Sequence, residues 1–238
     1  MGNNVLTNQD EIINRCLVCK VRTYSFCRCL DEKKLKFFSN ISFQKNFLNK
    51  ENIFIQNDPA TYLYNITEGN VKIYQLLDDG RIQIIGFLYP GDFFGSYHKH
   101  RYNYCAEAIG DLKTCVFDQK TLDKYLDENP ILAKELLNKT SYELTVAQDR
   151  LTVIGKLNAV ERIAKFLLNT SRQRNRIGWQ ENPISLPMTR QDIADYLGLT
   201  IETVSREFSN LKSSNIIKAI SSKQIYLKDI NALQSYTK

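Results

Sequence analysis

The sequence predicts an α+β chain: a β-roll or sandwich, then one long helix, then a C-terminal pair of short helices with a β-hairpin beside them. Three observations carry this. From about Ser39 to Gln119 the apolar residues recur in short alternating runs broken by Asn, Asp and Gly, which is the period of strands. Leu144, Ala147, Leu151 and Ile154 then follow at three-four-three spacing, the period of a helical seam. Met188 to Ile217 reads as two amphipathic helices parted by a glycine-containing turn, followed by a third element.

The 238 residues suffice for two modest domains with their own cores. No apolar run approaches the length that spans a bilayer, and the N-terminus lacks a signal peptide's apolar segment, so a soluble, cytoplasmic chain is expected. The net charge of +6 is unevenly placed. Residues 150–238 carry 14 Lys and Arg against 7 Asp and Glu, whereas residues 1–149 carry 18 against 19. The positive excess lies with the short helices, which favours a polyanionic partner, double-stranded DNA being the natural one.

Four parts are expected. Residues 1–35 form a cysteine segment, opening with a polar, mobile tail over residues 1–15. Cys16, Cys19, Cys27 and Cys29 fall within fourteen consecutive positions, with Cys105 and Cys115 further on. In a cytosolic chain such a cluster points to metal rather than to disulfides. Lys20, Arg22 and Arg28 put positive charge around the thiols, which is expected to lower their pKa. Asp31 to Phe38 is a short amphipathic stretch anchored by Leu35 and Phe38.

Residues 36–129 form the roll. Ile53 and Ile55 alternate with Phe54 and Gln56, and Tyr62, Tyr64 and Ile66 alternate with Leu63 and Asn65. Val71 and Ile73 precede a turn at Asp78-Asp79-Gly80, and Ile82, Ile84 and Ile85 follow it, a hairpin signal. His98 and His100 flank Lys99 in a polar loop that reads as a solvated tip, with a metal role as the alternative. Residues 130–157 form the long helix, beginning near Pro130 and containing Leu132, Leu136 and Leu137. Its seam either pairs with a second copy or packs on the chain's own roll.

Residues 158–238 complete the chain. Asn158 and Glu161 stand at the two positions of a capping box, and Val160, Ile163, Ala164 and Leu167 make the core face of the helix that follows. Ser171 to Pro183 reads as a surface loop. Thr189, with Asp192 three residues on, caps the first short helix, whose apolar stripe is Ile193, Ala194 and Leu197. Gly198 can take the positive φ of the turn, and Thr200 caps the second helix, with Val204, Phe208 and Leu211 inward. Ile216-Ile217 and Ile225-Tyr226-Leu227 flank Ser221-Ser222-Lys223, the pattern of a hairpin wing.

The outward face of the second helix carries Glu202, Ser205 and Arg206, side chains able to read base edges in a major groove. A helix-turn-helix places its second helix there. An ordinary helical hairpin with a solvated charged face fits the same periodicity. Three chemistries fit the cysteines: structural zinc, reversible disulfide sensing by Cys27 or Cys29, and an iron–sulfur cluster held by four thiolates. Cys105 reads as a small buried thiol. The absence of a Gly-rich phosphate loop, a Ser/His/Asp set or paired carboxylates in a motif context argues against an enzyme.

The run from Thr200 to Arg206, TIETVSR, resembles the recognition helix of the Fnr branch of the Crp/Fnr family of bacterial transcription regulators, the oxygen-responsive iron–sulfur regulators. That branch carries a Glu-x-x-Ser-Arg pattern, and the cyclic-AMP branch has Gly where this chain has Ser205. Gly86 to Asp92 resembles the family's sensory roll, and the likeness extends from about Cys16 to the C-terminus. The resemblance implies a cyclic-nucleotide-binding-like roll, a dimerisation helix and a winged helix-turn-helix. It implies a [4Fe-4S] cluster in which Cys16 and Cys19 match the opening ligands, Cys27 the third and Cys115 the distant fourth. Cys29 rivals Cys27 for the third place, and Cys105 has no counterpart.

The family's cyclic-nucleotide sensors hold ribose and phosphate with Gly-Glu and Arg-Ser/Thr pairs. Here Gly91 to Ala106 reads GDFFGSYHKHRYNYCA, where no Glu follows Gly95 and Arg101 precedes Tyr102, so no cyclic nucleotide is expected. The implied mechanism runs from cluster to DNA. The intact cluster ties the N-terminal segment to the roll through Cys115 and biases the Leu144–Ile154 helix toward homodimer pairing. Pairing sets two recognition helices roughly 34 Å apart on a TTGAT-like inverted repeat. Oxygen degrades the cluster and DNA is released. Thr200, Lys212 and Lys223 complete the expected DNA-contacting set, and RNA polymerase is the further partner. Two alternatives remain. One is a regulator with structural zinc or a thiol switch. The other is an iron–sulfur electron carrier, which leaves the basic C-terminal part idle.

Overall fold

The computed structural model describes residues 15–96, 100–176, 178, 180 and 182–237. The expected tail over residues 1–14 and the reading of His98 lie outside these described residues. Arg15, assigned to that tail, is helical and half-buried. The chain divides into two compact units, one of residues up to Ile73 with Phe87–Ser141, the other of Tyr74–Gly86 with the residues from Tyr142 on. Among the described residues no helix is long and apolar enough to cross a membrane.

In the first unit two short 3-10 turns, Arg22–Tyr24 and Phe26–Cys29, lead into α1 (Glu32–Asn40). Asp31 caps α1, its side chain accepting from the Lys34 amide at 2.8 Å, and Leu35 and Phe38 are buried as expected. Strands β1 (Ser42–Phe47), β2 (Asn52–Phe54), β3 (Tyr62–Leu76), β4 (Ile82–Leu88), β5 (Phe93–Gly95) and β6 (Cys105–Asp118) form one sheet. Its path is β1-β6-β3-β4, with β2 on β6 and β5 on β3. The two runs around Tyr64 and Val71 are one continuous strand, β3. Gly69 breaks the alternation between them. It holds φ +85° where an added Cβ would lie 2.3 Å from the Asp111 carbonyl oxygen, so only glycine fits.

A helix that the strand pattern did not announce, α2 (Gln119–Glu128), follows β6, its first turn capped by Asp118. The first core fills the roll around Phe54, Tyr64, Ile66 and Phe94. The second lies under the cysteine segment around Phe26, Phe38, Phe117 and Leu122. Phe26 is fully buried; truncating such a ring to Ala costs roughly 3–5 kcal/mol.

The helix α3 (Pro130–Lys156) begins at Pro130, which suits a first helical position. In the second unit α4 (Ala159–Arg176) opens with the expected capping box, Asn158 and Glu161 exchanging bonds of 2.8 and 3.1 Å. The loop expected from Ser171 is a correction: α4 continues to Arg176. Thr170 and Ser171 are buried on its inner face, the Thr170 hydroxyl donates to the Phe166 carbonyl at 2.9 Å, and no Gly or Pro interrupts before Gly178. Then come β7 (Ile184–Ser185), α5 (Arg190–Leu197), α6 (Ile201–Ser213), β8 (Ile217–Ser221), β9 (Gln224–Leu227) and α7 (Ile230–Ser235). The wing is a three-stranded sheet ordered β7-β9-β8, and neither β7 nor α7 is announced by the sequence pattern. Ile163, Leu167, Ile184 and Ile193 centre this unit's core.

Candidate cysteine centre and nucleic-acid interface

The cysteine segment is held on the sheet by its neighbours. The Phe26 ring packs between Phe38, Phe93 and Phe117 at centroid distances of 5.7, 4.7 and 5.8 Å. Ser25 and Asn65 exchange side-chain hydrogen bonds of 3.2 and 3.3 Å. The Tyr24 ring covers Gly91, where a Cβ would lie only 2.6 Å from it. Cys27 follows Phe26 directly, and Cys115 stands on β6 opposite Gln44 of β1.

These placements bring Cys16, Cys27 and Cys115 against one core, each within reach of the charge of Cys19. Burial pushes Cys27 up to about 12, helped by the charges of Cys19, Cys115 and Cys16. Burial also pushes Cys115 up to about 12, helped by Cys16 and Cys19 and opposed by Arg15. Burial raises Cys16 too, against the pull of Arg15 beside it. This corrects the expectation that nearby cations lower the thiols: desolvation outweighs them. Two of the expected cations, Arg22 toward Cys16 and Arg28 toward Cys29, do pull downward but are outweighed. Arg22 donates to the Leu30 carbonyl at 2.9 Å, and Arg28 pairs with Glu135 at 2.8 Å.

Cys29 stands apart. Burial and then the Glu135 charge raise it, no other thiol acts on it, and its sulfur donates to the Phe26 carbonyl at 3.5 Å. Cys105 is buried elsewhere, its sulfur accepting from the Gln56 amide at 3.3 Å.

Among the described residues no three His, Cys, Asp or Glu side chains stand close enough together to hold a metal ion. The electrostatic coupling holds all the same, because charges interact well beyond a metal–sulfur bond of about 2.3 Å. In type, number and origin in two segments, the donors fit a group held by four thiolates. Burial keeps Cys27 and Cys115 as neutral thiols in the metal-free chain, and a bound cationic group would favour their thiolates.

The roll interior is filled with aromatic rings. Phe54 stacks on Tyr102 at 3.7 Å and Tyr64 on Phe94 at 5.2 Å. The Tyr102 hydroxyl donates to the Tyr62 carbonyl at 2.8 Å, and that of Tyr104 to the Gly95 carbonyl at 2.9 Å. Arg101 donates to the Asn57 carbonyl, and His100 is exposed.

Along α3, Leu137, Leu144, Ala147 and Leu151 are exposed, Leu151 by 74%, while Ile154 is half-buried. The expected seam is therefore an uncovered apolar face over most of its length.

The C-terminal motif takes its expected form. Thr189 and Asp192 exchange bonds of 2.8 and 3.0 Å at the start of α5, and Gly198 adopts φ +63° in the turn. The Thr200 hydroxyl accepts from the Thr203 amide at 3.2 Å to cap α6. Val204, Phe208 and Leu211 are buried; Glu202, Ser205, Arg206 and Lys212 are exposed. The amide at the start of α6, and then the Thr200 hydroxyl, hold the Glu202 carboxyl below the usual carboxylate range. Arg206 reaches Glu207 at 3.1 Å, and Lys223 is exposed in the turn between β8 and β9.

Sequence reading missed Arg190. Its guanidinium lies 3.5 Å over the Phe208 ring, in a groove of about 300 Å³ shared with Ser205, Ser209, Lys212 and Ile217. A signal was available: a cation at the first position of a helix opposes the macrodipole and needs another reason to be there.

Residues 44–129 match the cyclic nucleotide-binding domain and residues 161–236 the Crp-like helix-turn-helix domain. The chain is 38% identical over 205 residues to the nitrogen fixation regulation protein FixK of Bradyrhizobium diazoefficiens, 86% of each chain. It is 31% identical over 221 residues to the anaerobic regulatory protein of Pasteurella multocida, 92% of this chain and 81% of that one. The structure of FixK2 from Bradyrhizobium japonicum matches with a TM-score of 0.78 at 35% identity, over 83% of this chain and 98% of that one. With its roll, long helix and winged helix-turn-helix in this order, the chain belongs to the Crp/Fnr family of DNA-binding transcription regulators and is not an enzyme.

Proposed function

We propose that this regulator is cytoplasmic and reports oxygen or redox state through a [4Fe-4S] cluster held by Cys16, Cys19, Cys27 and Cys115. The observation that carries the reading is that Cys16, Cys27 and Cys115, drawn from the N-terminal segment and from β6, pack against one core, and that the charge of Cys19 acts on all three. The printed name of the Pasteurella relative, an anaerobic regulatory protein, points the same way. When bound, the cluster supplies an oxygen-labile centre joining the two segments. Phe26 and Ser25 keep Cys27 in place against the sheet.

Leu144, Ala147, Leu151 and Ile154 bury their face against the same face of a second copy. Pairing sets two α6 helices on a TTGAT-like inverted repeat, one helical turn apart, roughly 34 Å. Glu202, Ser205 and Arg206 read the bases, while Thr200, Lys212 and Lys223 serve the backbone. RNA polymerase is the further partner of the DNA-bound dimer. No cyclic nucleotide is taken up: Phe54, Tyr64, Phe94, Tyr102 and Tyr104 occupy the roll, and Arg101 is spent on a carbonyl.

A zinc regulator needs the same thiolates, so metal analysis decides. Anaerobic protein should carry about four iron and four sulfide per chain and lose its visible absorption in air. About one zinc per chain with no visible absorption overturns the cluster reading.

A further inference from the structure

The last carbonyls of a helix have no partner within it and must find one elsewhere. At the end of α5 three consecutive carbonyls are each taken by a side chain from a different element. Gln83, on β4, donates to the Asp195 carbonyl. Arg150, on α3, donates to the Tyr196 carbonyl at 3.0 Å. Arg162, on α4, donates to the Leu197 carbonyl at 3.0 Å and, at 2.8 Å each, to the Ile154 and Leu157 carbonyls. All these residues lie in the second unit.

Arg150 does the most. Its guanidinium also donates to the Ile84 and Ile85 carbonyls of the β3–β4 hairpin and lies 4.3 Å over the Tyr196 ring. One cation thus joins long helix, hairpin and the first helix of the DNA-binding motif. α5 packs in turn on α6, which bears the reading face. Arg150 touches none of the reading residues.

We propose that Arg150 is a positioning residue for DNA reading: it locks the hairpin and α5 to the long helix, so that the two reading helices of a dimer hold one fixed spacing. The inference rests on the inverted-repeat reading above. Charge-assisted bonds to three carbonyls make a stiff joint, because removing the cation leaves several acceptors unmet at once. Lysine, a compact point charge, cannot fork onto carbonyls of two elements in this way.

The test uses the full-length protein under anaerobic conditions and a panel of inverted repeats with the spacer lengthened or shortened by single base pairs. Wild type should prefer one spacer. Arg150→Met should keep wild-type base preference within the half-site yet weaken binding to the preferred spacer by roughly ten- to a hundred-fold, so flattening spacer discrimination. Arg150→Lys should fall between. Wild-type spacer discrimination in Arg150→Met overturns the proposal. If that variant fails to fold, Arg150→Lys carries the test: it keeps the charge but loses the fork and should flatten the discrimination in part, and an unchanged profile overturns the proposal. Wild type that binds DNA with no preference for any inverted repeat overturns the inverted-repeat reading and this inference together.

Discussion

Cys27, in the segment before α1, is raised by burial and then by the charges of Cys19 and of Cys115 on β6, so side chains far apart in sequence share one electrostatic site. Replacing Cys16, Cys19, Cys27 or Cys115 by Ala should each abolish cluster assembly, because each removes a thiolate. Cys29→Ala and Cys105→Ala should retain the full iron and sulfide content. If Cys115→Ala also retained it, the tie between the N-terminal segment and the sheet would be wrong.

The raised thiols give the metal-free chain a pH dependence of known sign. A group whose pKa is higher folded than unfolded stabilises the fold fully below its unfolded value and loses that contribution as pH rises through the folded one. For Cys27 and Cys115 the loss runs from about 9 to about 12. The reduced, metal-free chain should therefore lose more melting temperature between pH 8 and 11 than a Cys27→Ser/Cys115→Ser variant does. Lysines and tyrosines titrate alike in both, so parallel curves would remove the effect.

Legibility in the sequence followed the range of the interactions. Thr189, Asp192, Gly198 and Thr200 act over three or four residues, and the helix-turn-helix emerged where its caps put it. The hairpin at Gly80 and the capping box of Asn158 and Glu161 are equally local. What failed depended on distant packing. The thiols were expected to be lowered by neighbouring cations, yet burial outweighs those cations at Cys16, Cys27 and Cys115. The end of α4 looked polar, but Thr170 and Ser171 are inward-facing. The contacts of Arg150 and Arg190 depend on elements that meet only in the fold.

The filled roll predicts indifference to cyclic nucleotides. Burial pushes Tyr104 up to about 12, so it stays a neutral hydroxyl bonded to Gly95, and Tyr102 is likewise bonded to Tyr62. Cyclic AMP should give no heat on calorimetric titration and leave DNA affinity unchanged. Micromolar binding would sink this reading of the roll.

The dimer is best tested at Leu151 rather than at Ile154. Leu151 is exposed within one chain, so Leu151→Glu should leave that chain's own packing intact; Ile154 is half-buried there. In a paired seam the substitution sets two like charges in an apolar interface, at a cost of several kcal/mol. Sedimentation under anaerobic conditions should find monomer where wild type is dimeric. An undisturbed dimer would move the interface to another surface.

Arg206 is expected to read a base. It is exposed one helical turn on from Glu202, opposite the buried Val204 and Phe208, and its contact with Glu207 is a surface pair of little energy that DNA can displace. In a TTGAT-like half-site Arg206 should fork onto the guanine, and Glu202 should accept from the cytosine paired with it. Such a fork is worth about 1–3 kcal/mol of discrimination, so Arg206→Ala should weaken specific binding roughly ten- to a hundred-fold at fixed salt and relax preference at that base pair alone. Lys212 and Lys223 should behave differently. Replacing either lowers affinity for all sequences alike and reduces the salt slope by about one unit, as loss of a phosphate contact does. The measurement is binding of wild type and each variant to every single-base change in the half-site, under anaerobic conditions. Uniform loss across the panel for Arg206→Ala would make Arg206 a backbone contact, and the reading face would have to be sought elsewhere on α6.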